Sequence, residues 1–324
     1  MALTQRVQQY QSVLCLAWPS KQAQSSKVYS AKPHNPALAA TLIAIACAFI
    51  AYTTLAAKTL ASAQFGSPMN PFQIVFGRYL FAFLIFTTAA VLLRPSLDRP
   101  HVPLHLTRTL AGWAGVVLMF ASVAYIPLAD ATAISFLNPV FGMIFAIPLL
   151  GEKVGKWRWM AAGIAFIGAL ILLRPTPDSF QPAALLALGA AFALGFELNI
   201  MKMLTRRENP FAILLFNNAV GVIISSVALL WVWISPTGIQ WVLMASIGCA
   251  MAVAQTCFVN AMARADASFV APFSYGTLIF AAVYDIVFYD VVPDAITILG
   301  ASVIIAGALL LAWREGRKVT RQAD

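Results

Sequence analysis

The sequence predicts an all-α integral membrane fold: ten transmembrane helices arranged as two inverted five-helix repeats. Three observations carry this reading. The chain is 61% hydrophobic and only 10% charged, whereas a soluble domain carries roughly 25% charged residues. A chain this apolar cannot cover itself with polar surface, so its apolar excess must face lipid. Its apolar runs cluster near the roughly 20 residues that a spanning helix needs. Its basic residues alternate between successive connections, and its motifs recur in the same order in the two halves.

Taken in order, the apolar runs place spans at about 36–58, 71–93, 106–126, 129–150, 157–173, 182–203, 210–233, 238–261, 267–289 and 295–313. Pro, Gly or charge marks several boundaries, as at Asn70-Pro71, Arg94-Pro95, Gly151-Glu152-Lys153, Arg174-Pro175 and Asn209-Pro210. The short connections leave no room for a soluble domain. Residues 1–35 are rich in Gln, Ser and Lys, and their one apolar stretch, 12–18, is short and lies behind polar residues. That pattern argues against a cleaved signal peptide and for a poorly ordered cytoplasmic tail. The expected organisation is therefore a tail at 1–35, a first repeat at 36–174, a second at 182–314 and a cytoplasmic C-terminal tail at 315–324.

Orientation follows from the basic residues, which are retained on the cytoplasmic side. With a cytoplasmic N-terminus, all of the 21 Lys and Arg except Lys58, Arg78 and Arg174 fall on cytoplasmic segments. Arg108 is counted there, with the connection before the third span. A wrong helix number would scramble this alternation, so ten spans with both termini inside is the consistent topology, in a bacterial inner membrane. The net charge of +9 then needs no nucleic-acid partner. Cys15, Cys47, Cys249 and Cys257 match no metal or disulfide spacing and read as small apolar residues.

The internal repeat is an ordered series. Asn70-Pro71-Phe72 returns as Asn209-Pro210-Phe211, Ala48-Phe49 as Ala191-Phe192 and Lys58 as Lys202. Ala129-Asp130-Ala131-Thr132 returns as Ala265-Asp266-Ala267-Ser268, Glu152 as Asp290, and Gly168-Ala169-Leu170 as Gly307-Ala308-Leu309. Five spans per repeat is an odd number, so the second repeat is inverted. Inverted repeats meeting near the midplane are the architecture of many secondary transporters, because two such halves can rock about one central site. This favours a carrier over a channel, a receptor or a membrane-embedded enzyme. An enzyme would want clustered His, Asp or Ser within spans, and the sequence has no such cluster. No catalytic residue, metal site or cofactor is expected.

One stretch runs Tyr125-Ile126-Pro127-Leu128-Ala129-Asp130-Ala131-Thr132-Ala133, then Asn138-Pro139-Val140-Phe141, then Leu149-Leu150-Gly151-Glu152-Lys153, and on to Trp157, Gly163 and Gly168. With Arg78-Tyr79-Leu80-Phe81 in the second span, it resembles the drug/metabolite transporter superfamily, in particular its ten-helix EamA type, over about residues 36 to 314. The resemblance implies a cavity between the halves and no ATP-driven machinery. Consistently, the sequence has no phosphate-binding G-x-x-x-x-G-K-[ST] loop. Within the family the chain is most similar to bacterial riboflavin importers, with S-adenosylmethionine uptake carriers next. The implied function is thus riboflavin uptake, or alternatively S-adenosylmethionine uptake or export of an amino acid or other metabolite. The second half departs from the family pattern: Asp290 stands where Glu is usual, and Asn217 stands opposite Arg78. The two halves are not expected to contact substrate equally.

Ionisable groups within spans cost about 2.5–3.5 kcal/mol each to insert, which makes Lys58, Arg78, Glu197 and Asp285 candidates. Arg78 cannot discard its charge. It either contacts substrate or a gate, or it is locked to a carboxylate such as Asp285. Glu197 and Asp285 can load and unload a proton as the carrier alternates. The structural alternative for Glu197 is a hydrogen bond between helices, for instance with Asn199. Lys58, near an interface, can snorkel to water. Asn138, Asn217, Asn218, Gln255, Asn260 and Tyr275 are candidates for substrate binding or gating, or for plain helix–helix hydrogen bonding and packing. Asn138-Pro139 and Pro272 interrupt the fourth and ninth helices, as ligand-bearing hinges or as simple kinks. Trp113, Phe120, Tyr125, Phe196 and Tyr275 either stack on a planar substrate or pack among helices. His101 and His105 have i,i+4 spacing but read as part of a basic loop without a carboxylate partner.

Overall fold

Asparagine followed by proline starts helices in this protein. The first four N–H groups of a helix have no intrahelical partner. An Asn side chain accepts from one of them, and Pro at the first helical position has no N–H to leave unpaired. The computed structural model describes residues 35–95, 100–135, 137–151, 155–173, 181–205, 207–262, 264, 276–303, 305–307 and 310. In it Asn35, Asn70 and Asn209 cap helices that begin at Pro36, Pro71 and Pro210, accepting from the N–H groups of Leu38, Phe72 and Phe211 at 3.0 Å. The recurrence of Asn-Pro-Phe is the recurrence of one capping device.

The helices are α1 Pro36–Ala61, α2 Pro71–Leu93, α3 Val102–Val123, α4 Leu128–Ser135, α5 Asn138–Leu150, α6 Lys156–Leu173, α7 Ala184–Thr205, α8 Pro210–Leu229, α9 Gly238–Met262 and α10 Gly276–Tyr289. An eleventh, α11, covers Ala295–Gly307. No strand occurs among the described residues. Seven helical stretches there are long and apolar enough to cross a bilayer: α1, α2, α3, the α4–α5 stretch Asp130–Leu150, α7, α8 and α9. α10 and α11 are shorter apolar helices. Large apolar side chains such as Val91, Leu92, Ile223, Val242 and Val287 stand exposed. Soluble monomers do not show apolar surface on that scale, so this is a multi-pass membrane protein.

The break between α4 and α5 falls where Asn138-Pro139 predicts an interruption. Pro139 lacks an N–H, and its ring would meet the carbonyl four residues back, at Ser135, which is where α4 ends. Pro272, Tyr275, Glu152, Asp266 and the tails at 1–34 and 315–324 lie outside the described residues.

Helix α3 starts at Val102 rather than near 106. Pro103, in its first turn, is the start signal. The four extra residues bring His105 into the helix and set Arg108 in its second turn instead of at its start, and both are buried. This corrects the assignment of Arg108 to a cytoplasmic loop.

The described helices belong to one compact unit, Lys32–Asp324. The most extensive packing pairs α1 with α9, α3 with α7, α2 with α8 and α9, α5 with α7, and α10 with α1. Each pair joins a helix from residues 36–174 to one from residues 182–314. Close approach depends on small residues, as is usual between membrane helices. At Gly195 a Cβ would sit 2.6 Å from the Asn138 carbonyl oxygen and 2.7 Å from the Phe141 Cβ. Without one, α7 lies directly on α5, and Asn199 Nδ2 donates to the Gly142 carbonyl at 2.9 Å.

Candidate functional site

A cavity of about 250 Å³ lies within the bundle, lined by side chains from α1 to α5 and from α7 to α10. Its wall is largely apolar, with Ile50, Val116, Phe120, Leu194, Leu198 and Phe258. Four methionines also line it: Met119, Met201, Met251 and Met262. Thioethers adapt to irregular shapes and contact aromatic rings favourably, so this wall suits a ring-bearing solute.

The charged groups on the wall are Arg78, Arg108 and Glu197. Arg78, in the second turn of α2, is 4% exposed, and its Cζ sits 4.5 Å from the centroid of the Tyr79 ring. Its Nη1 has no hydrogen-bond partner among the described residues. Arg108 reaches Glu197 Oε1 with Nη2 at 3.2 Å, bridging α3 to α7, and the same nitrogen lies 3.5 Å from Met201 Sδ. Gly112, one turn beyond Arg108, leaves room for the Glu197 carboxyl, which a Cβ there would approach to 3.0 Å. Arg108 Nε and Nη1 have no partner among the described residues.

Polar groups on neighbouring helices complete the wall. Asn138 sits at the start of α5 on the cavity, beside Thr132 and Ser135 of α4. Asn217 lines it from α8 and accepts from Thr109 Oγ1 at 3.2 Å. Gln255 lines it from α9, and its Oε1 accepts from Asn218 Nδ2 at 2.9 Å. Asn218 therefore stands one layer behind, holding Gln255, and its Nδ2 also donates to the Leu214 carbonyl. Asn260 lies off the cavity; its Nδ2 donates to the Thr256 carbonyl and its Oδ1 accepts from Arg264.

Four pairings differ from those the sequence suggests. Asp285 does not meet Arg78. It meets Lys58 Nζ at 2.8 Å, joining α10 to α1. Lys58 therefore does not snorkel; it lies over the Tyr289 ring, 4.3 Å from its centroid, while Tyr289 Oη and Thr59 Oγ1 are 2.8 Å apart. Glu197 pairs with Arg108 rather than with Asn199, which bonds Gly142 and Gly195. His105 does have a carboxylate: its Nε2 is 2.7 Å from Glu208 Oε2, and the His101 N–H donates to Glu208 Oε1 at 2.8 Å. These polar contacts clamp the start of α3 to the connection between α7 and α8.

Among the aromatics, Phe120 lines the cavity together with Tyr79 and Phe258. Trp113 instead stacks on Phe72 and donates to Ser225, Phe196 packs edge-on against Phe145, and Tyr125 is exposed. Arg108 and the methionines were missed by sequence reading. Pro103 was the available signal for Arg108; nothing in the spacing of the methionines marks them.

The EamA-like transporter family profile matches this sequence twice, at residues 38–174 and again at 181–313. The chain belongs to that family. It is a transporter and not an enzyme. A riboflavin transporter of Rhizobium johnstonii is 33% identical over 250 residues, covering 76% of this chain and 83% of the relative. An S-adenosylmethionine uptake transporter of Rickettsia bellii is 25% identical over 291 residues, covering 89% and 99%. A solved crystal structure, 19% identical and covering 86% of this chain and 98% of its own, superposes with a TM-score of 0.64 and shares the fold.

Proposed function

We propose that this EamA-family chain takes up riboflavin across the bacterial inner membrane as a secondary carrier working by alternating access. The observation that carries the reading is the cavity's composition. It has apolar, aromatic and thioether walls for a ring system and, among the described residues, two buried guanidiniums against one carboxylate. Riboflavin offers an uncharged tricyclic ring with carbonyl acceptors and a hydroxylated chain. The riboflavin relative, at 33% identity, points the same way. S-adenosylmethionine uptake is the second reading, favoured by the fuller coverage of that relative. Its sulfonium and ammonium groups, balanced by one carboxylate, fit poorly beside a surplus of positive charge.

In this reading the ten spans form two inverted five-helix repeats, 36–174 and 182–314, with both termini cytoplasmic. The double family match and the pairing of α1–α5 with α7–α10 support that arrangement. Arg78, Asn138, Asn217 and Gln255 bind or gate substrate, Asn218 holds Gln255 in place, and Asn260 and Tyr275 are the remaining gating candidates. Glu197 carries the coupling proton: its carboxyl leaves Arg108 when it is protonated and pairs with that guanidinium again when the proton is given up, and Asp285 gates the outer end through Lys58.

The test is uptake of labelled riboflavin into bacteria that cannot synthesise it, with and without this gene. Saturable uptake, abolished by excess unlabelled riboflavin, is the expected result. Glu197→Gln is expected to remove accumulation driven by a proton gradient while leaving riboflavin exchange. Absence of uptake with the protein present in the membrane refutes the substrate, and S-adenosylmethionine uptake and metabolite efflux are then the assays to run.

A further inference from the structure

Arg108 has no place in the sequence-based site, yet it is as buried as Arg78, at 3% against 4% exposed, and lines the same cavity. Each guanidinium presents N–H groups that no described residue accepts: Nη1 of Arg78, and Nε and Nη1 of Arg108. Arg cannot neutralise itself by losing a proton, and unpaired buried donors are costly. Glu197 engages only Nη2 of Arg108. The described wall is thus short of acceptors, and it is short at two planar groups that favour paired acceptors on a flat ligand edge.

The geometry points to a subsite in which Arg78 and Arg108 together recognise an acceptor-rich edge of the substrate. Resting on the riboflavin reading, that edge is the pyrimidinedione edge of the flavin ring, whose two carbonyl oxygens flank N3. The ring lies against Phe120, Phe258 and the methionines, and the ribityl chain lies toward the Asn138–Ser135 side. Arg108 then has two duties: Nη2 holds Glu197 while Nε and Nη1 hold substrate.

Two independent experiments test this. The first needs no substrate. If Arg78 is kept unpaired for a ligand, Arg78→Met in the purified full-length protein melts at or above the wild-type temperature, because a buried orphan charge has gone. A melting point well below wild type, or failure of the variant to accumulate while Arg78→Lys accumulates and melts at the wild-type temperature, makes Arg78 structural and overturns the subsite.

The second uses proteoliposomes and labelled riboflavin. Lumiflavin, which keeps the ring edge and lacks the ribityl chain, is expected to compete. N3-methylriboflavin, whose edge is blocked, is expected to compete at least about tenfold less well. Arg78→Lys and Arg108→Lys, which keep charge and lose the fork, are each expected to raise KM about tenfold with a smaller change in kcat. Equal competition by N3-methylriboflavin, or wild-type KM in both lysine variants, overturns the proposal. If the wild-type protein takes up no riboflavin, the substrate reading falls, and the melting comparison by itself decides the subsite.

Discussion

Lys58 and Asp285 provide the sharpest energetic test of the packing. They meet at 2.8 Å between α1 and α10, with the aspartate side chain 1% exposed and the lysine 16%. Two unit charges at that separation attract by about 6 kcal/mol at an effective dielectric of about 20. Desolvation offsets most of this, so the pair itself adds little net stability. Removing one partner is different, because the other stays buried and uncompensated. Asp285→Leu is expected to cost about 3–4 kcal/mol, and Lys58→Met about 2 kcal/mol, since part of Asp285's desolvation is relieved by its other contacts. The double variant Lys58→Met/Asp285→Leu is expected to cost only about 2–3 kcal/mol, giving a coupling energy of about 3 kcal/mol. The assay is reversible SDS unfolding in mixed micelles of the wild type, both single variants and the double variant. A coupling below about 0.5 kcal/mol refutes the claim that the pair is buried and mutually compensating. Because the pair is shielded, the coupling is expected to change little with added salt.

Three further outcomes follow from the packing and the caps. Gly195→Ala places a Cβ against the Asn138 carbonyl and is expected to lose about 1–3 kcal/mol, read by the same unfolding assay; an unchanged midpoint would mean that α5 and α7 separate freely. Asn70→Ala and Asn209→Ala each delete one cap and are expected to cost about 1 kcal/mol, and a large difference between the two would contradict the equivalence of the repeated motif. For Glu208, burial by itself pushes the carboxyl up, but the His105 hydrogen bond, the His101 N–H and the charge of both imidazoles outweigh it and hold it below the ordinary range. A lowered folded value means stability that is present above the unfolded value of about 4.3 and lost as pH falls through the folded one. Glu208→Gln is therefore expected to flatten the acid-side fall in stability, and an identical slope in the variant would show that the contact carries no such linkage.

The candidate site was legible in sequence where a residue type is costly in lipid. Arg78 and Glu197 stand out from apolar runs on that ground, and both line the cavity. Arg108 escaped because it sits near the end of an apolar run, where a basic residue reads equally well as loop. The helix start at Val102 puts Arg108 in the second turn, buried, and so decides between the two. His105 and Glu208 escaped for a related reason. Their partners lie about a hundred positions apart in sequence, and each is surrounded locally by basic or apolar residues.

Composition and order of motifs were enough for the membrane class, the helical content and the family, because these depend on lipid transfer energies and local capping, both of which are properties of short segments. Asn-Pro at 35, 70 and 209 marks helix starts by itself, since the missing N–H and the accepting side chain act within one turn. The choice of partner belonged to the tertiary structure. Asp285 was free by type to meet Arg78 or Lys58, and the packing of α10 on α1 brings it to Lys58. Glu197 was free to meet Asn199, its neighbour on the same helix, and the approach of α3 to α7 gives it Arg108. Charge pairing acts over a few ångströms through space, and only the packing of distant helices sets those distances.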